Sequence, residues 1–460
     1  MDPKSTFSKI HFISIGGSVM HNLAIDLHQK GIIITGSDDE IYEPSVSRLA
    51  KHHLLPTQMG WFPERITPDL DAVILGMHAR ADNPELARAK ELGIKVYSYP
   101  EYIFEHSQNK QRVVIAGSHG KTSVTSMILH VLKFHNRVFD YLVGAQLDGF
   151  ENMVKLSNDA PVIIIEGDEY FTSPLDKTPK FMHYQPHIAL ISGIAWDHYN
   201  VFSTWEQYVQ QFERLADSIP KAGAIIFDET DNMLDVIGRK GRPDVAAIPY
   251  NAHKSKIVEG KTYLQTDTDE LVPLLIFGEH NMKNISGAWD VCERLGITKP
   301  DFYKAISSFK GASKRLEKLA SKGEVHIFRD FAHAPSKVEA STLAVKAQFP
   351  ESTLVACAEL HTFSSLNKSF MSQYRRKLNA ADVAVVYFNP HTVESKRLEP
   401  ITEEEIKAAF KRDDLHIFTE AAALKAFLTS LKWEQANLLL MSSGTFGGMD
   451  LKALTEEILA

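Results

Sequence analysis

The stretch Gly117-Ser118-His119-Gly120-Lys121-Thr122-Ser123 carries the plainest chemistry in this 460-residue chain. Its glycines let backbone N–H groups approach an anion with no Cβ in the way. The residues after it, 124–133, suit a helix. A helix N-terminus adds N–H donors and partial positive charge, which favours phosphate. Lys121 can reach terminal phosphates, and the Thr122 hydroxyl can serve Mg²⁺. The full phosphate-loop pattern has a glycine where Ile115 stands, so the short form Gly117-x-x-Gly120-Lys121-Thr122 is what remains.

Two other strand ends carry groups that suit the same chemistry. The apolar run 161–165 ends in Glu166-Gly167-Asp168-Glu169, and the run 188–194 leads to Asp197-His198. Acidic groups at the carboxyl ends of parallel strands beside a phosphate loop are what a Mg-nucleotide site needs. Glu166 and His198 are therefore the metal candidates with Thr122, although Mg²⁺ prefers oxygen to imidazole. Further on, His280-Asn281-x-x-Asn284 opens a helix, with the two asparagines one turn apart on a shared face. The alternative for these asparagines is N-capping.

The elements that must hold these residues read as repeated strand–helix units. The run 10–15, a turn at Gly16-Gly17-Ser18, a periodic helix over 19–30, Gly31 as its stop and a strand over 32–35 form a βαβ nucleotide unit. Asp38 falls where an acidic residue accepts from a ribose hydroxyl. Ser14 and Met20 stand where a dinucleotide fingerprint has glycines, which argues against a nicotinamide oxidoreductase. Strands are expected at 72–76 and 95–98, a helix start at Asp82-Asn83-Pro84-Glu85, and a linker at 105–110. Beyond the phosphate loop, strands are expected at 224–228, 325–330, 354–357, 383–388 and 437–441. The last ends in the glycine-rich Ser443-Gly444-Thr445-Phe446-Gly447-Gly448. The fold class is α/β, in about three domains at roughly 150 residues each. These are a Rossmann-like N-terminal domain (1–108), a central phosphate-loop ATPase domain with a mostly parallel sheet (109–312) and a Rossmann-like C-terminal domain (313–460).

A net charge of −8 argues against a nucleic-acid or anionic-membrane binder. Cys292 and Cys357 are too few for a disulfide framework or a thiolate zinc site. The start, Met1-Asp2-Pro3-Lys4-Ser5, has no apolar core of the signal-peptide kind, and no run approaches a membrane span. A cytoplasmic monomer or weak homo-oligomer is expected.

These motifs together resemble the Mur ligases, the ATP-dependent amide-forming enzymes of peptidoglycan synthesis. The resemblance rests on Ile15-Gly16-Gly17 with Gly36-Ser37-Asp38, on Asp82-Asn83-Pro84-Glu85, and on the loop 117–122. Further along it rests on Glu166-Gly167-Asp168-Glu169, Asp197-His198, His280-Asn281-x-x-Asn284, Arg315 and Asp330-Phe331-Ala332-His333-x-Pro335. It implies ATP and Mg²⁺, with Gly117, Ser118, His119, Gly120, Lys121, Thr122, Ser123, His280, Asn281, Asn284, Arg315 and Asp330 around ATP. It implies Thr122, Glu166 and His198 on metal, and Gly16, Gly17, Ser37 and Asp38 on the UDP part of UDP-N-acetylmuramate. Lys121, Glu166, His198 and Arg315 would be the catalytic residues. Within the family the chain looks most similar to the branch that recycles L-alanyl-γ-D-glutamyl-meso-diaminopimelate, with L-alanine addition the alternative amine chemistry. The third domain would close over the nucleotide about a hinge at Ala312-Ser313-Lys314.

Departures from the family pattern are Gly193 and Ala195, where it has Asn and Glu, and the absence of a lysine near Gln211-Phe212-Glu213. The stretch His361-Thr362-Phe363-Ser364-Ser365 also lacks the family's arginine. Gly193 and Ala195 keep open a reading as a non-catalytic nucleotide-binding regulatory protein. A folate-polyglutamate-type ligase shares the short loop but needs no UDP-type domain.

Overall fold

A computed structural model of the chain describes residues 7–77, 79–196 and 201–460. These residues fold into two compact units. The first comprises 1–194, 209–250 and 290–296, and the second 195–208, 251–289 and 297–460.

The first unit holds two sheets. One has four parallel strands in the order Ile33–Ser37, Lys9–Ile13, Ala72–Leu75, Val96–Ser98. The first strand stops at Ile13, short of the expected 15, because Ser14 turns to φ 66° and its N–H bonds Ser37 O at 2.9 Å. The helix Ser18–Gln29 follows, and Gly31 stops it at φ 86° with its N–H on His28 O. Asn83 caps the helix Pro84–Glu91 by accepting from Glu85 N and Leu86 N, at the expected start. The stretch 105–110 was expected to be a linker, yet Ser107 and Lys110 are buried. The Arg112 guanidinium ties the stretch down through the carbonyls of Ser107, Gln108 and Lys110.

The second sheet runs Ala246–Tyr250, Ala224–Asp228, Ile188–Ile191, Gln111–Ala116, Val162–Glu166, Asp140–Leu142, Val154–Lys155, with only the last strand antiparallel. Its middle strands read as unbroken apolar runs because helices cover both faces of a parallel sheet. Val113 to Ala116, Ile163 to Ile165 and Ala189 to Ile191 are all fully buried. Each of the valine, leucine and isoleucine side chains among them contributes about 1.5–3 kcal/mol over its exposed state. Arg48 joins the two sheets' layers, donating to Asn22 Oδ1 and Asn152 Oδ1 at 2.8 Å each, while Asn22 accepts from Met153 N.

The second unit holds a six-stranded sheet in the order Glu317–Lys322, Val325–Asp330, Ala436–Met441, Thr353–Leu360, Val383–Phe388, His416–Phe418. Only its first strand is antiparallel. A three-stranded antiparallel sheet, Ser255–Val258, Lys261–Gln265 and Leu271–Pro273, is an addition the sequence reading did not contain. The architecture is α/β with mostly parallel sheets, as expected. Among the described residues no helix is long and apolar enough to cross a membrane.

Candidate active site

The strand Gln111–Ala116 delivers the chain to Gly117 in the middle of its sheet, and the helix Lys121–Phe134 leaves from Gly120. Gly117 and Gly120 lie at φ 123° and 75°, conformations that exclude an ordinary side chain. A Cβ on Gly117 would also meet Ser192 Oγ at 2.5 Å. Gly120 offers no side chain to cap the helix, so the loop itself frames the N-terminus. Ser118 N–H donates to Gly193 O at 2.9 Å, and Ser192 Oγ donates to the carbonyls of Ala116 and His119. Ser123 is buried in the first turn of that helix.

Ile115, the position that lacks the expected glycine, is an inner strand residue, fully buried and paired in register with Glu166. That pairing sets Glu166 one strand away from the loop. Thr122 Oγ1 donates to Glu166 Oε1 at 2.8 Å, and Gly144 N–H donates to Oε2 at 2.8 Å. Lys121 Nζ donates to Gly117 O at 2.5 Å and to Glu169 Oε2 at 2.6 Å. Burial disfavours the Lys121 ammonium, but Glu169, Asp168 and Glu166 outweigh that and raise its pKa above the ordinary lysine value. Lys121 thus stays charged at the loop. In the sequence Glu169 is marked only by its place in the acidic run 166–169. Its buried side chain is the counter-charge for Lys121, 48 positions away. Asp168 is held separately by Lys180 at 2.6 Å.

Gly193 lies at φ 152°, and a Cβ there would fall well inside contact distance of the His119 ring at Cε1 and Nε2. The departure at this position therefore fits the packing of the phosphate loop. Ala195 lies in the second unit, and His198 lies outside the described residues. Among the described residues no cluster of three or more His, Cys, Asp or Glu side chains forms a cage for a cation. The Thr122 hydroxyl and Glu166 carboxylate are an all-oxygen pair, the donor type Mg²⁺ takes when phosphate oxygens complete its shell.

At the N-terminal sheet, Gly16 N–H donates to Asp38 Oδ2 at 2.7 Å, and Ser37 Oγ accepts from Arg65 Nη1 at 3.3 Å. Gly17 precedes the helix as its cap residue. Burial pushes the Asp38 carboxyl up to about 6, against the pull of the Gly16 N–H and with Asp39 adding to the rise.

The second unit holds the remaining candidates. Asn281 and Asn284 share a face of the helix Glu279–Arg294, with Asn284 Nδ2 donating to Asn281 Oδ1 at 3.4 Å and Asn281 Nδ2 to Phe277 O at 2.8 Å. His280 is half-buried, its buried Nδ1 has no hydrogen-bond partner among the described residues, and desolvation lowers its pKa despite Asp330 and Glu279. Asp330 accepts from Ser341 Oγ at the end of its strand. The Arg315 guanidinium lies over the Phe331 ring at 4.6 Å. In the proposed hinge Lys314 takes φ 57°, and its carbonyl accepts from Phe331 N–H.

Residues 115–292 match the Mur ligase middle domain, and residues 9–111 match the Mur ligase family catalytic domain. A UDP-N-acetylmuramate–L-alanine ligase of Caldicellulosiruptor saccharolyticus is 32% identical over 397 residues, covering 82% of this chain and 83% of that protein. The chain belongs to the Mur ligase family. A Haemophilus influenzae UDP-N-acetylmuramate–L-alanyl-γ-D-glutamyl-meso-2,6-diaminoheptandioate ligase is 25% identical, covering 97% of this chain and 98% of its own length. The crystal structure of a murein peptide ligase from Psychrobacter arcticus shares the fold, with a TM-score of 0.64 at 21% identity over 98% of this chain and 99% of that one. As a Mur ligase the protein is an enzyme of the ligase class.

Proposed function

We propose that this Mur ligase uses ATP to join the carboxylate of UDP-N-acetylmuramate to the amine of L-alanyl-γ-D-glutamyl-meso-diaminopimelate. The observation that carries the ligase chemistry is the convergence of Lys121 and Thr122 with the carboxylates Glu169 and Glu166 at one loop. A carboxylate oxygen is a poor leaving group. Transfer of the γ-phosphoryl group to it, with ADP leaving, makes an acyl phosphate. The amine nitrogen then attacks the acyl carbon, loses a proton, and inorganic phosphate departs with the former carboxylate oxygen. Such chemistry is mostly positioning and charge neutralisation. Lys121 stabilises charge on the transferred group, and the Gly117–Gly120 backbone cradles the phosphates. Thr122 and Glu166 would hold Mg²⁺, with His198 assigned to it on the family resemblance, and the ion would neutralise phosphate charge. Gly16, Gly17, Ser37 and Asp38 take the UDP part. His280, Asn281, Asn284, Arg315 and Asp330 are assigned to the nucleotide on the family resemblance.

The tripeptide is favoured by the near-complete span shared with the Haemophilus influenzae protein. L-alanine is the second reading, favoured by the higher identity of the Caldicellulosiruptor saccharolyticus protein. Incubation with UDP-N-acetylmuramate, ATP and either amine tests the choice. Phosphate release with the tripeptide alone is expected, and release with L-alanine alone overturns the tripeptide reading. Lys121→Ala should abolish release while UDP-sugar binding persists; retained turnover sinks the role of the loop.

A further inference from the structure

The central sheet of the first unit has a second polar end. At the amino ends of its strands Gln111–Ala116, Ile188–Ile191 and Ala224–Asp228 lies a cavity of about 570 Å³. Gln108, Lys110, Gln111, His187, Lys221 and Arg294 are among its lining residues, and no carboxylate lines it. The six-residue strand Gln111–Ala116 separates it from the phosphate loop, so the two sites are about 20 Å apart.

The charge balance around this cavity is one-sided. Lys110 is neutralised inside the fold by Asp140 at 2.7 Å and by the carbonyls of Ser157 and Ala160. Lys221 and Arg294 are exposed and form no ion pair among the described residues. Asp244, which feels the Lys221 charge, is already held by two bonds from Arg242, at 3.2 and 2.8 Å. Arg112 is buried, its guanidinium over the Phe104 ring at 5.1 Å and hydrogen-bonded to neutral carbonyls. Its Nε donates to Tyr184 O and Gln185 O, and its Nη1 to Ser107 O, Gln108 O and Lys110 O. No carboxylate among the described residues pairs with it. A buried cation without counter-charge is costly, and a nearby anion relieves that cost.

His187 adds a directed donor. Its Nδ1 accepts the backbone N–H of Arg112 at 3.0 Å, so the neutral ring carries its proton on Nε2. Burial and the Arg112 charge hold the ring below the ordinary imidazole pKa, which keeps it neutral near pH 7.

We propose that this cavity is a second anion site, separate from the phosphate loop, which takes a small molecule bearing a multiply charged oxyanion. Lys221 and Arg294 supply the compensating charge, and His187 Nε2–H and the glutamine amides supply direction. The chemistry is shared by phosphate esters and polycarboxylates, so both are tested.

The experiment titrates pyrophosphate, and separately citrate, into the full-length Lys121→Ala/Thr122→Ala protein by calorimetry, with the phosphate loop disabled. One equivalent is expected to bind, more weakly as salt rises. Preference for pyrophosphate or for citrate assigns the ligand class. Adding Lys221→Glu and Arg294→Glu should lower affinity by about a hundredfold or more, because two charge-assisted contacts become repulsive. Both residues are exposed, and the milder Lys221→Gln/Arg294→Gln pair, checked by its unfolding midpoint, should lower affinity in the same direction. Absence of binding in the loop-disabled protein overturns the proposal. So does undiminished binding in the charge-reversed protein.

Discussion

Gly193→Ala is the sharpest single test of how the phosphate loop is held. Gly193 stands at φ 152°, and its missing side chain is the space that the His119 ring fills. Its carbonyl also accepts from Ser118 N–H at 2.9 Å, so the backbone here cannot shift without disturbing the loop. An alanine faces two costs. A side chain in this backbone region costs about 1–3 kcal/mol. Forcing a methyl group against a packed ring costs about 1–3 kcal/mol more. Ring and loop together should therefore lose roughly 2–6 kcal/mol if neither moves. If the His119 ring swings away instead, part of that cost is relieved and the loop geometry changes. A displacement of about 1 Å at a phosphate-binding loop costs on the order of a hundredfold in kcat/KM. Urea unfolding and ATP-dependent phosphate release, measured on the same preparation, read the two outcomes. Lower stability, lower kcat/KM for ATP, or both are expected. A variant with the wild-type midpoint and wild-type kcat/KM would refute the packing role of Gly193.

Glu169→Gln removes the counter-charge of Lys121 and should destabilise the nucleotide-free protein by about 3 kcal/mol, as breaking a buried pair does. Saturating ATP with Mg²⁺ should recover much of that loss, because phosphate then neutralises the ammonium; a loss equal with and without nucleotide argues against the pairing as a functional contact. Asp140→Asn should cost about 3–5 kcal/mol in urea unfolding, since buried Lys110 would lose the carboxylate it is paired with at 2.7 Å; a change below about 1 kcal/mol contradicts it. Asp38 has a folded pKa of about 6, above the ordinary value of 3.8, so its contribution to stability is fully present below 3.8 and is lost as pH rises through 6. Asp38→Asn keeps an acceptor for Gly16 N–H without the charge. Its midpoint should match the wild type near pH 4 and exceed it increasingly as pH rises through about 6, and a difference that is flat with pH excludes the raised carboxyl.

The parts of this Mur ligase that sequence reading recovered are those whose determinants lie close together in the chain. The loop 117–122 was legible because an apolar strand, two glycines, a lysine and a helix follow one another without interruption. Asn83 was legible as a helix start because a cap acts on residues two and three places on. What spacing could not supply is pairing across the sheet. Ile115 looked like a lost glycine, yet its register partner is Glu166, and a buried strand residue is what that pairing requires. Gly193 looked like a lost polar group, yet the His119 ring needs the room. Asp38 was expected to face a ribose hydroxyl, and one of its oxygens accepts the Gly16 N–H. The antiparallel sheet 255–273 escaped because its strands are short and partly exposed. Its hairpin turn, Glu259-Gly260 at φ 49° and 69°, is the local signal that could have found it. A departure from a family motif therefore has to be weighed against what the departing residue touches across the sheet. At Ile115 and Gly193 those contacts are with Glu166 and His119, two of the residues that define the site.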